Sequence, residues 1–268
     1  MAKSISFLLI SLFFPFLSMA QKDTSGYFSS FDGVKIHYEV KGKSKGKPVL
    51  LLHGFTGKGS DWKRKPLFDS LIANGFKVIL FDQRGNGLSD KPHNSEAYAN
   101  DAEAKDLMGL MKFLKIKQYQ AVGYSRGSII LARLLVLDKH LKKAVIGGMG
   151  VDFTNPLWER RIGIYEALIS DTATAFADLK KRIVSTPELD RLALAYQQKE
   201  QPSTSSAELA KIKRPVLLLS GDQDIDDGSV QDLQALIPHS KLETVQGTHN
   251  TAWGSVPFAV KVMTFLKE

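Results

Sequence analysis

Gly123-Tyr124-Ser125-Arg126-Gly127 is the stretch on which the fold turns. Gln118 to Tyr124 is apolar and β-rich, which suits a buried strand, and Ser128 to Leu137 is dense enough in apolar residues for a helix packed on a sheet. A serine between two such elements sits on a tight, strained turn where large neighbours collide. Gly123, Gly127 and Ser128 supply the small residues such a turn needs. The turn exposes the hydroxyl and aims the free N–H groups of the helix start at a reacting carbonyl. A Gly-x-Ser-x-Gly string alone arises readily by chance, so its partners elsewhere in the chain must decide its meaning.

Outward from this turn the pattern is strand, helix, strand, helix. Pro48–Leu52 and Phe76–Phe81 read as buried strands, with a helix from about Ser60 to Asn74 between them and another over about 97–114. Upstream, Asp32-Gly33 between two alternating runs (27–31 and 34–40) signals a hairpin. Downstream, Lys142–Met149 is a further strand. The rhythm then breaks: 152–213 contains no convincing strand but helical stretches near 157–169, 174–184, 187–199 and 206–211. Strands near 215–220 and 241–245 resume the pattern, with helices near 229–236 and 256–266. The expected architecture is α/β: a doubly wound, mostly parallel sheet with an N-terminal β-hairpin and a helical cap inserted in it. The expected divisions are core over 21–151, cap or lid over 152–213, and core again over 214–268.

The 268 residues are enough for one large α/β domain with a substantial core. Met1-Ala-Lys3, the apolar run Ile5–Phe16 and Ser18-Met19-Ala20 have the form of a signal peptide over 1–20, which leaves Gln21 as the mature N-terminus. Export to a periplasm or medium is the expectation, and the absence of cysteine favours a bacterial route. No further segment has the length of a transmembrane helix, so no stable membrane span is expected in the mature form. The formal charge of +8 is carried by scattered lysines without interleaved aromatics, so nucleic acid is not the expected partner. The dispersed histidines and the missing cysteines give no metal cluster, and Gly85-Asn86-Gly87 lacks the third glycine of a dinucleotide fingerprint. No cofactor is expected. The sequence leaves the oligomeric state open.

The residues with chemistry in them follow the carboxyl ends of predicted strands, and in a parallel sheet these ends share one ligand-binding edge. Ser125 needs a base near pH 7, and a histidine supplies one; the histidine needs an acceptor on its other nitrogen. His249 and Asp224 fill those roles in the order Ser…Asp…His. The backbone N–H groups of Phe55 and Arg126 are the expected oxyanion donors. Asp222, Asp226 and Asp227 compete with Asp224 as the acid.

Taken together, His53-Gly54-Phe55, Asp82–Ser89, Gly123–Gly127, Gly221–Asp224 and Gly247-Thr248-His249 resemble, in order, the signature loops of the α/β-hydrolase superfamily. The resemblance spans the mature chain except 152–213, where that family places its cap. It implies that Asp224, three residues after Gly221, is the acid, and offers Asp152 as a further alternative; the proline that often follows the acid is missing. It also implies that His53 shapes the oxyanion loop, and that Asp82 and Arg84 form a salt-bridged turn beneath the site. Arg126 replaces the small or apolar residue frequent after the nucleophile. Its side chain either pairs with an internal carboxylate or meets an anionic substrate. Met149, Phe153, Trp158 and Trp253, with Tyr165, are candidates for an apolar pocket.

Serine rather than aspartate at position 125 argues against the dehalogenase and epoxide-hydrolase branches. The leading expectation is a serine hydrolase (carboxylesterase-like) acting on a small-to-medium carboxylic ester or lactone through an acyl-enzyme. The alternatives are a C–C bond hydrolase, aminopeptidase or perhydrolase using the same triad, or a ligand-binding receptor with a slow, vestigial triad.

Overall fold

A computed structural model describes residues 23–268; the signal peptide expected over 1–20 lies outside them. The chain opens with an antiparallel pair, β1 (Thr24–Ser29) and β2 (Lys35–Gly42), turned at Asp32-Gly33. Then come β3 (Pro48–Leu52), α1 (Pro66–Ala73), β4 (Lys77–Phe81), α2 (Ala102–Phe113), β5 (Tyr119–Tyr124), α3 (Arg126–Leu137) and β6 (Leu141–Gly147). Four helices follow: α4 (Glu159–Ile169), α5 (Ala177–Val184), α6 (Arg191–Lys199) and the short α7 (Ser206–Leu209). The chain closes with β7 (Val216–Gly221), α8 (Val230–Leu236), β8 (Ser240–Val245) and α9 (Val256–Lys267).

All eight strands form one sheet in the order β1-β2-β4-β3-β5-β6-β7-β8. The hairpin joins it antiparallel through β2 and β4, and the pairs from β4 to β8 are parallel. The inner strands such as β3, β4 and β7 are almost continuously apolar because both faces are covered. Alternate side chains go to opposite cores. Leu50 and Leu52 of β3 join Ile79, Ala121 and Ile146 against α2 and α3, while Val49 and Leu51 join Val78, Val122 and Val145 against α1 and α9. These strand residues are essentially inaccessible, and each buried leucine contributes roughly 2 kcal/mol.

Four helix boundaries differ from the sequence reading, each for a local reason; the helix expected from 187 begins only at Arg191, after extended Asp190 (φ −109°, ψ 112°), whose carboxylate caps it by accepting from Ala193 N–H. The expected helix over 60–74 is a 3₁₀ segment (Gly59–Arg64) followed by α1, because Lys65 precedes Pro66 and is forced into extended backbone (φ −113°, ψ 140°). The helix expected from 97 begins only at Ala102, after Asn100 and Asp101 take left-handed φ values of 56° and 60°. Likewise α5 starts at Ala177, after left-handed Phe176. Between β6 and β7 the structure is helical throughout its regular elements, as the break in rhythm predicted. Its members form a small core of their own from Ile164, Leu168, Ile183, Leu194 and Ala195, on which Phe55 packs from the sheet side.

Candidate active site

Ser125 stands between β5 and α3 with φ 54° and ψ −129°, backbone that a residue with a side chain adopts at a cost of about 1–3 kcal/mol. Its neighbours enforce that conformation. A Cβ on Gly123 would lie 2.6 Å from the Gly127 carbonyl oxygen, and one on Gly127 would lie 2.5 Å from that of Leu52. Both obstacles are backbone and cannot swing away. The Ser125 N–H donates to Gly147 O (2.9 Å). Ser128, whose small size the turn required, also bridges to β6: its hydroxyl donates to Gly147 O (2.8 Å) and accepts from Gly147 N–H (2.9 Å).

The loop after β8 brings His249 to this serine. Its Nε2 lies 2.9 Å from Ser125 Oγ, and its Nδ1 lies 3.0 and 3.1 Å from the two carboxylate oxygens of Asp224, which follows β7. Tyr124, beside the serine, steadies the histidine loop: its hydroxyl donates to His249 O (2.7 Å) and its ring stacks on Trp253. Of the rival acids, Asp227 comes nearest, 3.7 Å from Nδ1. Asp222 instead accepts from Gly247 N–H (2.8 Å), and Asp226 is exposed on the cavity rim. Asp152 packs against Gly228, away from the imidazole.

Burial opposes a charge on His249, but the hydrogen bond with Asp224 and the charges of Asp224 and Asp227 outweigh it. Its pKa therefore lies above the ordinary 6.5. Burial pushes Asp227 up as well. Asp224, Asp227 and His249 bring ligand-type atoms within 4.8 Å of one another, a convergence that dispersed histidines in the sequence did not suggest. The imidazole's two nitrogens are committed to Asp224 and Ser125 in this arrangement.

The two expected oxyanion donors flank the serine. Arg126 N–H is at the first helical position, where an α-helix offers no internal acceptor. Phe55 follows Gly54, whose missing side chain permits the close approach: a Cβ there would sit 3.3 Å from Ser125 Cβ. His53 shapes this loop. It is wholly buried, and burial lowers its pKa. Its Nε2 accepts from Gln83 N–H (3.0 Å), so the proton is on Nδ1, which donates to Gly54 O (2.8 Å).

The Arg126 side chain turns inward to Glu103, with bonds of 2.7 and 2.6 Å, and also reaches Gln83 and the Gln197 carbonyl of α6. The alternative of a substrate contact by this guanidinium is thereby set aside. Gln197 donates to Arg84 O and Asn86 Oδ1 (2.5 Å each), and Asn86 donates to the carbonyls of Phe55 and Gly57 (2.8 and 3.0 Å). A chain of buried amides thus runs from α6 to the Phe55 loop. Sequence reasoning missed it, since none of its members sits in a recognisable pattern. The salt-bridged turn expected at Asp82 and Arg84 is present, each residue pairing with partners of its own. Asp82 holds Gly59 N–H, Leu88 N–H and His37, while Arg84 holds Asp106 and Asp32.

Ser125 and His249 open into a cavity of about 430 Å³ between the sheet edge and the helices α4–α6. Met149, Trp158 and Trp253 line it as expected. Phe153 and Tyr165 do not. Phe153 belongs to a 3₁₀ turn after β6 that folds it into the core beneath, where it is 1% exposed, and Tyr165 packs in the small core of the helical segment. Unanticipated on the wall are Ile129, Ile164 and Leu179 and the arginines 160, 161 and 182.

A family model described as "alpha/beta hydrolase fold" matches residues 47–198, more than half of the chain. The chain belongs to that family. Among curated members, it is 26% identical over 273 residues to a putative non-heme chloroperoxidase of Synechocystis sp., covering 89% of this chain and 94% of the relative. Among solved structures it superposes on an enol-lactonase from Burkholderia xenovorans LB400 with a TM-score of 0.75 at 20% identity, and on an esterase from Exiguobacterium antarcticum with 0.73 at 18%. Each match covers 91% of this chain and all of the other. At these identities the likeness is one of fold. It confirms the α/β-hydrolase architecture expected from the signature loops. No helix among the described residues is long and apolar enough to cross a membrane.

Proposed function

We propose that the protein is a serine hydrolase that cleaves a small-to-medium carboxylic ester or lactone. One observation carries the reading: a strained serine hydroxyl 2.9 Å from an imidazole whose other nitrogen is held by a carboxylate, all opening into one cavity. Ser125 Oγ attacks the carbonyl carbon as its proton passes to His249 Nε2. Asp224 accepts the hydrogen bond from Nδ1–H and stabilises the imidazolium. The negative charge on the former carbonyl oxygen is met by the N–H groups of Phe55 and Arg126. The bond to the alcohol oxygen breaks as His249 returns the proton to it, which leaves an acyl group on Ser125. Water, deprotonated by the same imidazole, then releases the acid.

The helical segment over 152–213 serves as a cap that covers the pocket. Esterases and a lactonase occur by name among its structural neighbours, in keeping with the ester reading. A fluorophosphonate is expected to label Ser125 in the native protein, with labelling abolished in Ser125→Ala. A p-nitrophenyl ester series is expected to be hydrolysed with saturation. An unlabelled Ser125, with no ester turnover, would return the fold to a ligand-binding role.

A further inference from the structure

Four arginines line the cavity, and they differ in what neutralises them. Arg126 is clamped by Glu103, and Arg160 shares Asp227 at 3.4 Å. The other two have no carboxylate at ion-pair distance among the described residues. Arg161 of α4 donates only to carbonyls, those of Pro156, Gln198 and Lys199. Arg182 of α5 is exposed, and its guanidinium makes no hydrogen bond within the described residues. Leu179 and Arg182 are three residues apart on one face of α5, so the helix presents both to the cavity.

The acids on the same wall stand elsewhere. Asp61 is occupied by Lys58 N–H and Arg64, Asp227 by Arg160 and His249, and Asp226 is exposed in the loop after β7. The wall is therefore polarised. Two guanidinium groups with no carboxylate at ion-pair distance among the described residues lie on the helical side, and the carboxylates lie on the loop side with the histidine. Apolar Phe55, Ile129, Met149 and Trp253 line the same cavity.

We propose that Arg161 and Arg182 bind a carboxylate carried by the substrate at a distance from the scissile carbonyl, so that the preferred ester or lactone is that of a dicarboxylic acid. The proposal rests on the serine-hydrolase reading for its reaction but not for its binding site. A guanidinium fork is matched to a planar carboxylate, and a cation kept partly out of water gains most when an anion completes it. Burial holds Arg161 below the ordinary arginine value, and the charge of Glu200, beyond ion-pair distance, offsets only part of that shift. The apolar residues of the cavity would take a short methylene chain, with the anion toward α4 and α5 and the carbonyl at Ser125.

The test compares two esters that differ only in charge, 4-nitrophenyl hydrogen adipate and 4-nitrophenyl methyl adipate. Because the leaving group and chain are shared, the ratio of their kcat/KM values reports the carboxylate alone. Arg182→Gln, at an exposed position, is expected to lower the anionic-to-neutral ratio about tenfold. Arg182→Lys should retain most of it, and Arg161→Gln in the same background should lower it further. A ratio unchanged by Arg182→Gln and by the double variant overturns the proposal. Adipate binding supplies a measurement that needs no turnover: adipate should raise the melting temperature more than adipamide does, and the double variant should erase the difference. If neither ester is cleaved and Ser125 resists labelling, the hydrolase reading fails. The adipate shift then decides the anion site, its presence and arginine dependence upholding it and its absence overturning it.

Discussion

The sheet's carboxyl edge and the helical segment above it build one cavity by opposite means. At the edge, position is enforced by backbone: Gly123 and Gly127 admit no Cβ, Ser125 is held at φ 54°, and Tyr124 and Ser128 tie the neighbouring loops and strand in place. The helical segment is joined to the edge by side chains, through Gln197 on the Arg84–Asn86 turn, His93 on Asp190 (2.8 Å) and Ser95 on Glu200 (2.5 Å). Its wall residues are long, and two of them are charged with no carboxylate at ion-pair distance among the described residues. The comparison teaches that the groups proposed to react are over-determined, whereas the wall that faces them is open to change at little cost to the fold.

The largest effect should come from the edge. Asp224→Asn leaves the shape of the site but takes away the charge that fixes the imidazole tautomer, and kcat is expected to fall about 10⁴-fold. Ester kinetics at the pH optimum check this, and an equal loss in Asp227→Asn would show that the wrong acid was assigned. Next, Gly123→Ala forces a methyl onto the Gly127 carbonyl and should destabilise the protein by about 3 kcal/mol, read from denaturant midpoints. A native-like midpoint would mean that the turn is less constrained than its geometry implies.

Gln197→Ala, on the helical side, removes two donations to the 84–86 turn and leaves Asn86 free to shift. A loss of about 1–2 kcal/mol in transition-state binding is expected, appearing in kcat/KM beside a fall in the melting temperature, because Gln197 is fully buried and its removal leaves the Arg84 carbonyl and Asn86 Oδ1 without their donor. Stability lost with kcat/KM unchanged would mean that α6 does not steady the Phe55 loop. The smallest effect concerns pH. His249 must be neutral to act as a base, and its pKa is raised, so kcat/KM should climb with pH through a value above 6.5. Asp227→Asn removes one of the charges that raise it, so the rising limb should move to lower pH. A limb that stays in place would assign the shift to Asp224 alone.

Much of this was legible in the chain. The elbow around Ser125, the alternation of buried strands and helices, and the helical interruption after Gly147 all rest on local rules, because backbone geometry and burial on two faces select residue types directly. His249 and Asp224 could be named since each follows the end of a parallel strand, and such ends share one edge. Helix starts were harder. Left-handed residues at Asn100, Asp101 and Phe176 carry no strong sequence signal, whereas Lys65 before Pro66 did and was passed over.

Sequence by itself thus determined the family, the sheet and the placing of Ser125 and His249 at its carboxyl edge, because those depend on periodicity and on motifs confined to a few consecutive positions. Tertiary structure alone decided which carboxylate lies nearest His249, that Arg126 faces inward, that Phe153 leaves the pocket for the core, and that Arg161 and Arg182 line the cavity with no carboxylate at ion-pair distance among the described residues. Those outcomes depend on which side chains meet across long separations in the chain, and charge compensation, unlike strand pattern, leaves no periodic trace.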